Sequence, residues 1–269
     1  MQTDRVFQGS VPAFYDRYMG PMIFAPYAAD MAARLADLRQ GSVLEVAAGT
    51  GVLTRALVAS LPPEVAIVAT DLNQPMLDHA SAQLASDRLT WRQADAQALP
   101  FDDGMFDVVA CQFGAMFFPD RAHAYAEARR VLRPGGTFLF NVWDRIEENE
   151  FAQEVTHALA AVFPADPPRF LARTPHGYHD VALIAQDVAR GGFTARPEIA
   201  TRAERSRAAS AQEPAFAYCE GTPLRNEIEA RDAQRLAEAT RAAAAALARR
   251  FGEGAVDGKI QAHVVEVVR

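Results

Sequence analysis

Apolar and polar residues change their spacing in a regular order along this chain. Met31, Leu35 and Leu38 recur at steps of four and three, with Arg34 and Asp37 between them, which predicts a helix with one buried face. Gly41 and Ser42 end that segment. Residues 43–47 then form a short apolar run holding one acid, Glu45, and read as a buried strand that breaks at the loop Ala48-Gly49-Thr50-Gly51. Residues 52–61 resume a helical pattern until Pro62-Pro63 stops it. Residues 65–70 predict a second strand, ending at Asp71. Asn73 with Pro75 behind it marks a helix start, and Met76, Leu77, Ala80 and Leu84 give that helix one apolar face.

The cycle repeats. Leu89, Trp91 and Gln93 alternate as a short strand before Asp95, and residues 106–111 form another behind the turn Asp102-Asp103-Gly104. Asp120 caps a helix running to about Leu132, Arg133-Pro134-Gly135-Gly136 reads as a turn, and residues 137–142 are a fifth strand. Strands alternating with helices of this length predict an α/β fold with a parallel sheet covered on both faces. Beyond Asp144 the rhythm changes: helices over 150–163 and 180–190, a proline-rich link over 164–175, a strand within 193–204, a long alanine-rich helix over 232–250 and a last strand over 260–268. The expectation is one domain whose sheet is completed late, with helical insertions forming a cap.

Composition narrows the class. Half of the 269 residues are hydrophobic, enough for a sizeable core. No apolar run reaches the ~18–20 residues of a membrane span, and the opening MQTDRVFQGS lacks the pattern of a secretory signal. Two cysteines, Cys111 and Cys219, exclude a disulfide framework and a multi-cysteine zinc site. A formal charge of −7 argues against a nucleic-acid surface. The expectation is a cytoplasmic globular protein with no nucleic-acid partner and no membrane span, for which a homodimer is compatible.

Chemistry gathers at the strand ends. In an open parallel sheet, ligands bind outside the carboxyl ends of the strands where the strand order reverses. The loop at Gly49 and Gly51 lets a ligand approach the backbone closely, and Asp71, twenty residues past Gly51, can accept from both hydroxyls of a ribose. A dinucleotide fingerprint needs a third glycine where this chain has Thr54. It has instead an acid, Glu45, four residues before Gly49, which suits a cationic amino-acid tail better than a pyrophosphate. The pattern favours S-adenosylmethionine over NAD. An NAD(P)-dependent oxidoreductase and a noncatalytic S-adenosylmethionine-binding protein are the alternatives.

Glu45-Val46-Ala47-Ala48-Gly49-Thr50-Gly51 resembles the first motif of class I S-adenosylmethionine-dependent methyltransferases. Asp71, Asp95-Ala96 with Leu99-Pro100-Phe101, Phe106-Asp107-Val108-Val109, and Leu132-Arg133-Pro134-Gly135-Gly136 follow in that family's order. The likeness is strongest to the small-molecule branch that includes the ubiquinone and menaquinone biosynthesis methyltransferases, and Ala47 departs from it where the family usually has glycine. The resemblance implies a doubly wound, mostly parallel seven-stranded sheet: a helical lid over 1–40, the cofactor core over 41–144, and a cap with the last strands over 145–269. It also implies methyl transfer to a small, hydrophobic or aromatic metabolite by in-line displacement. Gly49 and Gly51 would line the methionine and ribose beside Ala47, Glu45 would reach the amino group, and Asp71 the ribose. Leu72 and Met76 would flank the adenine, Asp95 and the amide of Ala96 would meet its edge, and Gln112 and Phe113 would border the carboxylate and sulfonium.

Other residues carry open alternatives. Phe7, Phe14, Tyr15, Tyr18, Phe24 and Tyr27 form either a lid over the ligands or a helix packed on the sheet. Phe113, Met116, Phe117 and Phe118 follow the fourth strand and are acceptor contacts or core. His176 and His179 have no evident third metal ligand and read first as surface loop histidines, or, with Tyr15, as candidates for a base. No catalytic residue is assigned. Asp107 is expected to pair structurally. Asp166-Pro167-Pro168-Arg169 lies after the wrong strand for the D-P-P-Y motif of nucleic-acid amino-methylating enzymes.

Overall fold

The structure, a computed structural model, describes residues 14–269. Phe7 and the opening decapeptide considered above lie outside them. A π-helical segment, Tyr15–Phe24, leads into α1 (Ala25–Arg34). There follow β1 (Gly41–Glu45), α2 (Val52–Ser60), β2 (Val65–Asp71), α3 (Gln74–Gln83), β3 (Leu89–Gln93), β4 (Phe106–Gln112), α4 (Arg121–Val131) and β5 (Leu132–Trp143). Then come α5 (Glu150–Val162), α6 (Phe170–Arg173), α7 (Val181–Arg190), β6 (Glu198–Ala208), α8 (Gln212–Glu220), α9 (Leu224–Asp232), α10 (Leu236–Phe251) and β7 (Val256–Val268).

The seven strands form one sheet in the order β3-β2-β1-β4-β5-β7-β6. β1 pairs in parallel with β2 on one side and β4 on the other, so the order reverses beside β1. β3 and β5 extend the parallel part. β7 runs antiparallel to β5: Gly135 and Gly136 exchange hydrogen bonds with Arg269 at one end, and Asp144 N–H donates to Gln261 at the other.

Two compact units emerge from this chain. One contains residues 25–142, 179–202 and 262–269. Its strands alternate as buried strands should: Leu139 joins Val43, Ile67 and Val108 against Met31 of α1 and Leu53 and Leu57 of α2. Phe138 and Phe140 point the other way, their ring centres 5.4 and 5.1 Å from that of Tyr125 on α4. The other unit contains the segment ending at Phe24 with residues 143–178 and 203–261. Here α10 packs on α5 and α8 through Ala239, Ala243, Ala246 and Leu247, small residues that let helices approach closely. Phe14 and Tyr18 meet the ring of Phe216 on α8 at 5.2 and 5.6 Å.

Several local expectations need correction. The chain does not turn out of the sheet at Pro134-Gly135-Gly136; β5 begins at Leu132, because β7 supplies hydrogen-bond partners from the far end of the sequence. Gly135 takes φ 78°, and the pairing with β4 shifts register there, as a bulge does. Asn73 stands at the N-cap of α3 but makes no capping bond with its side chain, which turns back to Asp71 instead. Asp120 and Asp180 do cap α4 and α7 through their carboxylates. Asp107 is structural: its carboxylate accepts from Ser42 N–H at 2.7 Å and pairs with Arg133.

Candidate cofactor site at the carboxyl ends of the strands

Residues 46–51 leave β1 in a turn fixed on both flanks. Val46 N–H donates to Ala110 of β4 and Ala48 N–H to Thr70 of β2, each at 2.9 Å. Ala47, Gly49 and Gly51 take left-handed conformations with φ of 55°, 56° and 80°. For Ala47 that geometry costs roughly 1–2 kcal/mol, a penalty a glycine would not carry. A Cβ added at Gly49 would meet no atom within 4 Å, so the loop offers bare backbone at an open surface. At Gly51 it would press on Trp91 at 3.0 Å and Ala80 at 3.3 Å, so that glycine serves packing.

Two acids close the loop. Glu45 is 1% exposed, and Thr54 Oγ1 donates to its Oε2 at 2.6 Å. Burial dominates its chemistry: opposed chiefly by the Thr54 hydrogen bond, with smaller contributions from Asp71 repulsion and the Arg55 charge, its carboxyl is pushed up to about 8. Asp71 Oδ2 accepts Gly49 N–H at 2.9 Å, and Oδ1 accepts Asn73 N–H at 2.8 Å. Burial raises its pKa too, opposed by these amide donors. Thr50 Oγ1 is buried with no hydrogen-bond partner. Two buried carboxyls without a salt-bridge partner among the described residues, a hydroxyl likewise unused there and open backbone at Gly49 suit a ligand carrying a cation and hydroxyl groups. These features fit S-adenosylmethionine.

The remaining expected residues fall as follows. Leu72 is exposed and Met76 buried, and Asp95 is half-buried, its Oδ1 accepting from Gln97 N–H in an Asx turn. Gln112 ends β4, and Phe113 behind it is left-handed, φ 51°, its ring edge-on to Tyr27 at 5.3 Å. Met116 is buried and Phe117 half-buried in the turn that follows. In the other unit, Tyr15 stacks towards Phe24 at 5.1 Å, Phe24 towards Trp143 at 6.2 Å, and Trp143 towards His176 at 6.0 Å. His176 is not a surface histidine. It is 5% exposed, and its Nδ1–H donates to the Asp144 carbonyl at 2.9 Å. Among the described residues, no group of three His, Cys, Asp or Glu side chains is placed to hold a metal, and no helix is long and apolar enough to cross a membrane.

Sequence reasoning missed three residues of this region. Thr54 was read only as a failed glycine, whereas it is the donor to Glu45. Trp143 lies one residue past the expected fifth strand, and no expectation is attached to it. Asn141 interrupts Phe138-Leu139-Phe140, and a polar residue inside a buried strand was the signal available.

Comparison with known proteins gives the same picture. A family model described as "Methyltransferase domain" matches residues 44–140. The ubiquinone/menaquinone biosynthesis C-methyltransferase UbiE of Hahella chejuensis is 41% identical over 102 residues, which span 36% of this chain and 41% of that protein. Its counterpart in Burkholderia mallei is 32% identical over 170 residues, 58% of this chain and 68% of that protein. Among solved structures, the YcgJ protein of Bacillus subtilis superposes with a TM-score of 0.57 at 16% identity, covering 91% of this chain and 98% of that one. Phosphoethanolamine N-methyltransferase 2 of Haemonchus contortus, in complex with S-adenosyl-L-methionine, gives 0.54 at 15% identity, covering 97% of this chain and 60% of that one. By motif order, sheet topology and these likenesses, the chain belongs to the class I S-adenosylmethionine-dependent methyltransferases.

Proposed function

We propose that this methyltransferase acts on a small, hydrophobic or aromatic metabolite, and that its cofactor lies along the ends of β1, β2, β3 and β4. The observation that carries the cofactor placement is the pair Glu45 and Asp71, buried acids on adjacent strand ends with no salt-bridge partner among the described residues, one of them bonded to the amide of Gly49. In this reading Glu45 takes the amino group, and Asp71 the ribose hydroxyls. Gly49 and Gly51 line the methionine and ribose beside Ala47. Leu72, Met76, Asp95 and Ala96 hold the adenine, and Gln112 and Phe113 border the carboxylate and sulfonium.

Bound S-adenosylmethionine supplies an activated methyl carbon. The protein's work is then to align the acceptor and exclude water, and good orientation alone is worth ~7–11 kcal/mol. Met116 and Phe117 are proposed acceptor contacts. Tyr15, Tyr18 and His176 are further proposed acceptor contacts; within their own unit the rings of Tyr15, Phe24, Trp143 and His176 follow one another, the last three buried. For a phenol or hydroxyl acceptor a base would help, and His176, His179 and Tyr15 are the candidates. The proposal is of a cytoplasmic enzyme acting as a monomer or homodimer.

The test has two parts. S-adenosylhomocysteine is expected to raise the melting temperature in proportion to the logarithm of its concentration, by mass action. A panel of phenols, quinols, catechols and aliphatic amines is then screened with tritiated S-adenosylmethionine, and label is expected in the flat aromatic members. Stabilisation by NADH and not by S-adenosylhomocysteine would overturn the cofactor placement. Label appearing only in the aliphatic amines would overturn the acceptor class.

A further inference from the structure

We propose that Asn141 is a positioning residue for the cofactor pocket, its carboxamide holding the turn after β4 in the left-handed conformation that seats Gly114 against Ala47. The inference rests on the reading of that pocket given above. It starts from strain. Among the described residues, Ala47 and Phe113 are the two non-glycine residues with positive φ, and they follow the ends of the neighbouring strands β1 and β4. Such conformations persist only where the surroundings over-determine them.

What fixes Phe113 is Asn141. It is fully buried in β5, paired with Gln112, the residue before the turn. The amide N–H of Phe113 donates to Asn141 Oδ1 at 2.8 Å and, less closely, to the Asn141 carbonyl at 3.3 Å. The next residue shows what the turn achieves. A Cβ added at Gly114 would fall on the Ala47 side chain and within 2.9 Å of Cys111 Sγ, so the loops behind β1 and β4 touch through a missing side chain. Ala47, where a bare glycine would have left slack, makes that contact and fills it.

The second observation is the cost of the residue. An N–H must face an acceptor, so the amide of Phe113 fixes Oδ1 towards the turn, and Nδ2 is left buried with no hydrogen-bond partner. A leucine of similar size would pack into β5 without that penalty. A half-satisfied carboxamide within the otherwise apolar run Phe138-Leu139-Phe140-Asn141-Val142-Trp143 is explained by the bond it makes to the turn.

The experiment is a double-mutant cycle read by calorimetric titration of S-adenosylhomocysteine into the full chain. Asn141→Leu is expected to weaken binding by about tenfold or more. In the Phe113→Gly background, where glycine adopts the left-handed turn unaided, the same change is expected to cost less than about threefold. Binding by Asn141→Leu within about twofold of wild type, or an equal penalty in both backgrounds, would overturn the proposal. Should Asn141→Leu fail to fold, the Phe113→Gly pair decides alone: the double variant must fold and bind like Phe113→Gly, and failure of either overturns the positioning role. Asp71→Ala separates the two readings. If wild type does not bind, or Asp71→Ala binds as wild type does, the pocket has been misplaced and the role of Asn141 falls with it. If Asp71→Ala is impaired and Asn141→Leu is not, only the positioning role is lost.

Discussion

The two ends of the parallel strands treat buried acids in opposite ways. At the amino end of β4, Asp107 is 8% exposed and matched by a cation: Ser42 donates to Oδ2 from backbone and hydroxyl, and the Arg133 guanidinium forms an ion pair at Oδ1, an oxygen that accepts no hydrogen bond among the described residues. At the carboxyl ends of β1 and β2, Glu45 and Asp71 are as deeply buried, and among the described residues they have hydrogen-bond donors but no salt bridge. Both are raised above ordinary carboxyl values, chiefly by burial. An acid matched by a cation is finished business for folding. Two acids on adjacent strands without one keep affinity for a positive group, and it is this difference, more than burial, on which the proposed ligand end of the sheet rests.

The sharpest way to break this contrast is to remove one acid from each end. Asp71→Ala deletes the acceptor of Gly49 N–H and the proposed partner of the ribose. Loss of hydrogen bonds to a charged acceptor is expected to cost roughly 1.5–3 kcal/mol of binding, about ten- to a hundredfold in the Kd of S-adenosylhomocysteine. Asp107→Ala should do the reverse. Ser42 N–H loses its acceptor while the exposed Arg133 rehydrates, so stability is expected to fall by roughly 1–3 kcal/mol in urea unfolding with the Kd unchanged. Equal loss of affinity in both variants would show that the ends are not distinct.

A smaller effect follows from the titration of Glu45. Its folded pKa, about 8, lies above the ordinary value of 4.5. The protonated form is therefore the one the fold favours: its contribution to stability is complete below pH 4.5 and is lost as pH rises to about 8. The groups acting on it are Thr54 and Arg55 from α2, Asp71 from β2 and the Cys111 thiol from β4. Glu45→Gln, which cannot ionise, is expected to flatten the fall in melting temperature of the free protein across that window. A cationic amino group favours the ionised carboxylate, so binding should release a proton, and affinity should climb towards pH 8. Calorimetry in buffers of different ionisation enthalpy reads that proton directly. No proton release in wild type, or an unchanged pH profile in Glu45→Gln, would remove Glu45 from the site.

How much of this was legible in the sequence varies with the range of the interaction. β1, β2 and β4 were readable because a buried parallel strand is a local apolar run, and Glu45 and Asp71 because an acid ending such a run has few structural reasons to be there. Gly135-Gly136 was read as a turn, since its strand partner, Arg269, stands at the other end of the chain. Asn73 has the composition of a helix cap, yet Asp71 competes for it and wins. The burial of His176 beneath Trp143 follows from tertiary packing that no local pattern encodes. Thr54 marks the limit. Its place in the motif was noted, but what it does depends on the distance to a side chain nine residues earlier.

That residue also offers the finest probe of the contrast between the two ends. Thr54→Val keeps the branched shape in a fully buried position and removes only the hydroxyl that donates to Glu45 Oε2. One hydrogen bond is lost, worth roughly 0.5–1.5 kcal/mol, but the sign of the effect depends on pH. Donation from Thr54 favours the ionised carboxylate, so its loss should raise the Glu45 pKa further and move the rise in S-adenosylhomocysteine affinity to higher pH. Below the titration window the carboxyl is already protonated, and the free variant is expected to lose little stability. If the hydroxyl only fills space, valine will leave the pH profile where it was. A profile displaced upward, with the same limiting affinity at high pH, would show that the hydroxyl in the third-glycine position tunes the acid that receives the amino group.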